Sequence, residues 1–242
     1  MDCSEIENEQ GVMKDLEQFD TPTITNAIAT YAGDRQTCLG LYHPFEINWY
    51  TDQNLKCLYP EYGARCAHVV TVTYSLKDPG YDRLEFVDLL KAVEEAPKPV
   101  ILAMKQCGPD HMRSKNALLG GNMLTALKQL GVTGVLGDGP ARDIEEMRGL
   151  EIQCLFQGLT AGHGTVAIAA LNTPICVSGM DVCPGEVIHM DQNGAVKFPR
   201  KYLLQVLEKA KLINRMDQER QKSMCETTDP AELARLMKAV YA

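Results

Sequence analysis

Gly120-Gly121-Asn122-Met123-Leu124-Thr125-Ala126-Leu127-Lys128-Gln129-Leu130-Gly131-Val132-Thr133-Gly134-Val135-Leu136-Gly137-Asp138-Gly139-Pro140-Ala141-Arg142-Asp143-Ile144-Glu145-Glu146 is the stretch on which the architecture turns. Met123, Leu124, Leu127 and Leu130 recur three and four residues apart and Gly131 follows them, the pattern of an amphipathic helix with a glycine stop. Val132 to Leu136 is apolar, β-branched and bracketed by glycines, which predicts a buried strand. Gly139-Pro140 predicts a break within a polar turn that carries Asp138, Arg142 and Asp143 to the rim where the helix begins.

This unit brings together groups suited to anions and to hard cations. The first N–H groups of a helix lack intrahelical partners and carry partial positive charge, so the backbone from Gly120 through Gly121, Asn122, Met123 and Leu124 can receive a carboxylate or phosphate oxygen. Arg142 can grip a carboxylate with two parallel hydrogen bonds. Asp143 and Glu146 are three apart, so one helical turn points both carboxylates to the same side. Oxygen donors of this kind suit Mg²⁺ or Mn²⁺, with part of the coordination left to water. A bare Arg-Asp-x-x-Glu helix start is also what an ordinary solvated surface carries.

Beyond this unit, further segments appear in a fixed order: Gly63-Ala64-Arg65, Val69 to Val72, Gly158-Leu159-Thr160, Val182-Cys183-Pro184-Gly185-Glu186 and Asp191-Gln192-Asn193-Gly194-Ala195-Val196. With Gly121 and the Arg142-Asp143-x-x-Glu146 element, they resemble the RraA-like family over roughly Asp20 to Tyr202. That family includes the divalent-metal pyruvate aldolases acting on 4-hydroxy-4-methyl-2-oxoglutarate and 4-carboxy-4-hydroxy-2-oxoadipate.

The resemblance implies an α/β fold, a swivelling β/β/α layered domain, with helical extensions at both ends. It also implies a homotrimer or homohexamer whose active sites lie at subunit boundaries. For activity it implies a metal-dependent carbon–carbon lyase, an aldolase with possible oxaloacetate decarboxylase activity, cleaving a small 2-keto acid through a pyruvate enolate. Arg142 and Asp143 would be catalytic, Asp143 and Glu146 would hold the metal, and Gly120 to Leu124 with Arg142 would bind substrate. One branch of the family regulates ribonuclease E by protein contact, so a regulatory binding protein is an alternative, as is a lyase or hydratase for another oxyacid. Three places depart from the relatives: Lys105-Gln106-Cys107-Gly108 ends a strand that often finishes on an acid, Gln157 stands where Arg is common, and Ala161-Gly162 replaces a different pair.

The whole chain fits such a protein. Its 242 residues predict one domain, with a core from about 20 to 202 and C-terminal helices from about 200 to 242. Hydrophobic residues make up 45% of the chain, enough for a large core, yet no apolar run approaches the roughly 18 residues that span a bilayer. The segment Met1 to Gln10 is acidic and lacks the apolar centre of a secretory signal. Nine cysteines without CxxC pairs predict a reducing, cytoplasmic setting. Of these, Cys66, Cys154 and Cys176 are expected in the core. A net charge of −8 speaks against a nucleic-acid partner.

Local patterns predict the remaining elements. Val12 to Phe19 reads as a short helix, and Asp20-Thr21-Pro22 caps a second over Thr23 to Tyr31, with Ile24 and Ile28 inward. Cys38 to Tyr62 predicts a strand followed by irregular chain with its aromatics in the core. Strands are expected at 64–75, 100–104, 152–156, 165–171, 174–177, 186–190 and 195–198. A helical stripe of Leu84, Val87, Leu90 and Val93 precedes the second of them. Asp191-Gln192-Asn193-Gly194 signals a hairpin, and Asp181 to Glu186 a turn before it. Pro199-Arg200 opens a long helix to about Met224, carrying i,i+3 pairs Glu208–Lys211 and Asp217–Arg220. Its apolar surface exceeds what a small sheet need cover, in keeping with an oligomer. Thr228-Asp229-Pro230 caps a last helix to Tyr241. His111, Arg113 and His163 lie in loops where contact with substrate and ordinary solvation are both open.

Overall fold

The computed structural model describes residues 3–30, 37–43, 45–80, 84–164 and 166–241. Strands β2 (Arg65–Leu76), β3 (Val100–Gln106), β4 (Val132–Ala141) and β5 (Gln153–Leu159) run parallel in the spatial order β5-β4-β3-β2. The short β1 (Lys56–Cys57) pairs antiparallel with β5, while β9 (Val187–Asp191) and β10 (Gly194–Phe198) extend the sheet beyond β2. A further strand, β6 (Val166–Leu171), also pairs with β2, so this sheet has eight strands among the described residues.

Alternation along the central strands builds two cores. Val100, Leu102 and Met104 face α3 (Phe86–Glu95), α5 (Gly121–Gln129) and α6 (Ile144–Arg148), packing with Leu89, Val93, Leu124, Leu127 and Met147. Ile101 and Ala103 face the opposite way, onto the hairpin of β7 (Ile175–Val177) and β8 (Met180–Val182). Both faces of the sheet are therefore covered, and β3 reads as a nearly continuous apolar run for that reason. The layers are helix, sheet and hairpin, the expected β/β/α arrangement.

A third core joins the ends of the chain. Helices α1 (Cys3–Leu16), α2 (Thr21–Ile28) and α7 (Leu203–Cys225) pack on β9 and β10 through Met13, Leu16, Ile24, Ile28, Phe198 and Val206. Asp20 caps α2, its Oδ1 accepting from the Thr23 N–H at 3.0 Å, with Pro22 in the first turn. Beneath α2, the buried His189 ring joins Thr21 Oγ1 through Nδ1 at 3.0 Å and the Leu16 carbonyl through Nε2 at 3.1 Å. Helix α8 (Pro230–Tyr241) closes the chain, with Asp229 Oδ1 accepting from the Ala231 N–H.

Several local expectations are corrected. Gly139-Pro140 does not break the chain: β4 continues to Ala141, absorbing the pair in a register shift between Gly137 and Pro140. Asp138 is consequently a strand residue, 2% exposed, and not part of a turn. Helix α1 starts at Cys3, well before Val12. Helix α2 ends at Ile28, and Tyr31 lies outside the described residues, as does Thr165 at the expected start of β6. Among the described residues between Cys38 and Tyr62 the only strand is the late pair Lys56–Cys57, although Trp49 and Tyr59 are core residues as expected.

The α3 stripe is rotated relative to the expected one. A capping box between Glu85 and Asp88 starts that helix at Phe86, turning Leu89 and Val93 inward and leaving Val87 46% exposed. Met180–Val182 is a strand, not part of a turn. Cys176 is exposed, because the two-stranded β7–β8 layer has an outer face. Lys211 meets Asp15 of α1 at 3.4 Å, whereas Asp217–Arg220 pair at 2.6 Å as predicted. No described helix is long and apolar enough to cross a membrane.

Candidate active site

The candidate site forms where β4 leaves the sheet and α5 enters its first turn. Leu119 and Ala141 form a parallel bridge, and the Arg142 N–H donates to the Leu119 carbonyl at 3.0 Å. This clamp sets Gly120 and Gly121 beside Arg142, Asp143 and Glu146, more than twenty residues later in the chain. The two glycines leave room for those carboxylates where they stand. A Cβ at Gly120 would lie 2.5 Å from Asp143 Oδ2, and one at Gly121 would collide with Glu146 Oε2.

Asp143 is held in a conformation that non-glycine residues seldom adopt. Its φ of 60° and ψ of 40° place it in the left-handed region, at the N-cap of α6. Such backbone costs on the order of 1 kcal/mol and persists where surrounding structure enforces it, often at functional positions. Here the turn swings the carboxylate back over α5: the Gly121 N–H donates to Asp143 Oδ2 at 3.2 Å, and Arg142 Nε lies 3.4 Å from the same oxygen. The Arg142 and Asp143 side chains are each about one-third exposed, at 34% and 32%.

The first-turn amides are thus divided between two uses. Gly121 gives its N–H to Asp143, and Leu124 gives its own to the Gly120 carbonyl at 3.1 Å. Asn122 and Met123 sit at the remaining positions of the turn, where no intrahelical acceptor exists. The Asn122 side chain is exposed and that of Met123 is half-buried against the core.

A second polar cluster surrounds Asp138, four residues before Arg142. Asp138 Oδ2 accepts from Lys105 Nζ at 2.6 Å, and Oδ1 accepts from the Gln106 N–H at 2.7 Å. Arg113, on the single-turn helix α4 (Asp110–Arg113), places Nη2 3.5 Å from Asp138 Oδ2 and donates to the Asp138 carbonyl at 3.3 Å. We therefore place Arg113 on Asp138, pinning the loop 107–118 over the end of the sheet. The signal for this cluster was Lys105, a cation at the end of an apolar strand. It could be seen in the sequence, whereas its partner could not, because Asp138 looked like a turn residue. His111 is exposed. His163 is exposed beside Gly162, whose carbonyl accepts from Ala117 N–H at 3.2 Å.

A divalent ion can be tested against the donor set. Among the described residues no group of three or more His, Cys, Asp or Glu side chains could hold a metal. Zinc, which prefers four protein ligands of nitrogen or sulfur in structural sites, does not fit. Asp143 and Glu146, two hard carboxylates against the Gly120-Gly121 backbone, fit an ion such as Mg²⁺ or Mn²⁺ that keeps several waters.

Comparison with known proteins identifies the family and the fold. Residues 21–197 match the pattern of the RraA-like family, described as Aldolase/RraA. A Halalkalibacterium halodurans protein provisionally named 4-hydroxy-4-methyl-2-oxoglutarate aldolase is 29% identical over 137 residues, 56% of this chain and 63% of its own. The 4-hydroxy-4-methyl-2-oxoglutarate aldolase of Thermus thermophilus is 33% identical over 91 residues, 35% of this chain and 52% of its own. The chain thus spans less than two thirds of the length of these curated relatives. Among solved structures, Streptomyces coelicolor RraAS2, described as an unusual member of the RNase ES inhibitor RraA protein family, shares the fold. Its TM-score is 0.61 at 16% identity, over 90% of this chain and 96% of that one. With most of its length matched by the family pattern and its fold shared, the chain belongs to the RraA-like family.

Proposed function

We propose that this chain is a divalent-metal-dependent carbon–carbon lyase that releases pyruvate from a small 2-keto acid, as a class II pyruvate aldolase with oxaloacetate decarboxylase activity. The observation that carries the reading is Asp143, a left-handed residue whose partly exposed carboxylate is aimed across Gly120-Gly121 beside Arg142. Left-handed backbone outside glycine persists only where its surroundings enforce it, and it clusters at functional sites.

Breaking a C–C bond next to a ketone leaves negative charge on the keto oxygen, and the chain's residues divide the work of holding it. Arg142 takes the substrate carboxylate or keto oxygen in its planar fork. The Asn122 and Met123 amides receive a further oxygen at the positive end of α5. Asp143 would hold Mg²⁺ or Mn²⁺, and Glu146 would accept hydrogen bonds from water beside it. When bound, the ion supplies Lewis acidity to the substrate's oxygens. The same demands arise in decarboxylating oxaloacetate, so one site serves both reactions.

On a single chain the site is open on one side, with Arg142 and Asp143 each one-third exposed. A trimer or hexamer would close it by placing a neighbour there, and the proton donor would come from that neighbour or from water.

The test is pyruvate release from 4-hydroxy-4-methyl-2-oxoglutarate and from oxaloacetate with Mg²⁺, repeated in excess EDTA. Release that stops with EDTA and returns with Mg²⁺ or Mn²⁺ is expected. Full activity on metal-free protein would remove the ion from the reaction. No release from any 2-keto acid would favour a regulatory role like that in the description of RraAS2.

A further inference from the structure

The same strands that end at the candidate site begin at a cavity of about 540 Å³, at the opposite edge of the sheet. It is bounded by the starts of β2, β3, β4 and β5, by α1 and by the last turn of α5. Val132 at its wall and Ala141 at the candidate site are the two ends of β4, ten residues long, so the two places are roughly 30 Å apart. The cavity cannot be a lobe of the candidate site.

Its lining is basic on a chain of net charge −8. Lys14 is neutralised by Glu17 at 2.7 Å. Arg65 and Lys98 are held by neutral oxygens. Arg65 Nη1 donates to the Tyr62 and Ala64 carbonyls, the latter at 2.9 Å, while Lys98 Nζ donates to the carbonyls of Val93 and of Glu94, the latter at 3.2 Å. Carbonyls fix the position of a cation without cancelling its charge. Lys128, exposed on α5, adds a third, and Glu151 is the remaining carboxylate of the lining. Glu94 also acts on Lys98 from α3, so three cations face two carboxylates, a net positive charge that the partial negative charges at the ends of α1, α3 and α5 reduce.

The floor is apolar. Met13, Cys66, Val132 and Ile152 are buried there, each no more than 2% exposed. Gly131, at a φ of +84°, lets the Lys98 stem lie flat along the wall, since a Cβ there would approach Lys98 Cδ to 3.0 Å. Fixed positive charge around an apolar floor is the complement of a small organic anion, charged at one end and apolar along its body.

We propose that this cavity binds a small organic anion bearing a phosphate or carboxylate group, independently of the lyase site. Arg65, Lys98 and Lys128 supply the charge, and the floor takes the apolar body. Phosphate esters and dicarboxylates share that chemistry and are separated by the probes.

The experiment is isothermal titration of the full chain with inorganic phosphate and with succinate, at constant ionic strength, comparing Lys128→Glu and Arg65→Gln with Asp143→Asn. Saturable binding of at least one probe in the millimolar range is expected, and the probe that binds names the anion class. Lys128→Glu, on an exposed side chain, should weaken that binding at least about tenfold. Arg65→Gln should do the same if it folds, while Asp143→Asn should bind as the unaltered chain does. No binding of either probe at about 10 mM, or binding unchanged in Lys128→Glu, would overturn the proposal. Loss in Asp143→Asn alone would overturn it too, by assigning the anion to the candidate site. Because the readout is binding, failure of the lyase reading leaves this result unaffected.

Discussion

Asp138 and Asp143 are five residues apart on one strand exit and could not be treated more differently. Asp138 is 2% exposed and receives a lysine at 2.6 Å, a backbone N–H at 2.7 Å and an arginine at 3.5 Å. Asp143 is about one-third exposed, sits in left-handed backbone, and has an N–H at 3.2 Å and a guanidinium at 3.4 Å on one oxygen. A buried carboxylate without partners is costly, so the first is surrounded until it is satisfied, and it holds β3, β4 and α4 together. The second is strained and lightly held, which leaves it able to take a ligand. Similar motif residues at one sheet edge therefore divide into a brace and a tool.

The largest expected effect separates the two roles. Asp143→Asn should lower kcat/KM for pyruvate release by at least about a thousandfold, roughly 4 kcal/mol of transition-state stabilisation, with the melting temperature changed by only a few degrees. Steady-state kinetics beside thermal unfolding checks both halves. A large fall in stability with activity per folded molecule intact would show that Asp143 is a brace after all.

Asp138→Ala should do the reverse. Its loss strands the buried Gln106 N–H and leaves Lys105 and Arg113 without their shared carboxylate. Both cations are about 70% covered and can recover part of their hydration, so destabilisation of about 2–4 kcal/mol is expected. Urea denaturation measures it directly. Wild-type stability would mean that the cluster contributes nothing net.

Acid should act on stability through two buried histidines. Burial pushes the His68 pKa down to about 4, helped by the Arg200 charge and opposed by Glu9, and burial likewise lowers His189. Below the ordinary histidine value of about 6.5 the unfolded chain binds protons that the folded chain refuses, so stability falls with pH. Full stabilisation is present above about pH 6.5 and is lost progressively as pH drops toward 4, with His68 contributing on the order of 2–3 kcal/mol. Unfolding free energies across that range in the His68→Gln variant should be flatter than in the unaltered chain; an unchanged slope would exclude His68 as the sensor.

The smallest effect is expected at Arg142. Arg142→Lys keeps the charge and loses the fork, and should lower kcat/KM about tenfold, roughly 1.4 kcal/mol, with both KM and kcat affected. Unchanged kinetics on a proven substrate would make Arg142 a structural partner of Asp143.

Much of this was legible in the chain. Leu124 and Leu127 marked the inner face of α5 because a helix repeats every 3.6 residues, and Val100 to Met104 marked β3 because a doubly covered strand is apolar throughout. The Asp20-Thr21-Pro22 cap, the Asp191 to Gly194 hairpin and the apolar face of α7 were local patterns with local causes. The glycine pair and the Arg142-Asp143-x-x-Glu146 element marked out the residues that the fold brings into contact.

What the sequence could not decide depended on partners distant along the chain. Gly139-Pro140 has the composition of a break, yet pairing with β5 carries β4 through it, since neighbours on both sides make extended backbone the cheaper state. That continuation alone buries Asp138 and makes it a brace. The left-handed turn at Asp143 sits where the Leu119–Ala141 bridge brings Gly120 close, a long-range contact that aspartate's mild tolerance of this conformation does not specify. The basic cavity is assembled from the starts of four strands and the ends of separate helices, residues that share no sequence pattern. Sequence by itself determined which segments bury apolar surface and which carry reactive groups, because periodicity and residue chemistry are local. Tertiary structure decided which of two aspartates is saturated and which is left open, because that depends on how many donors the fold gathers around each.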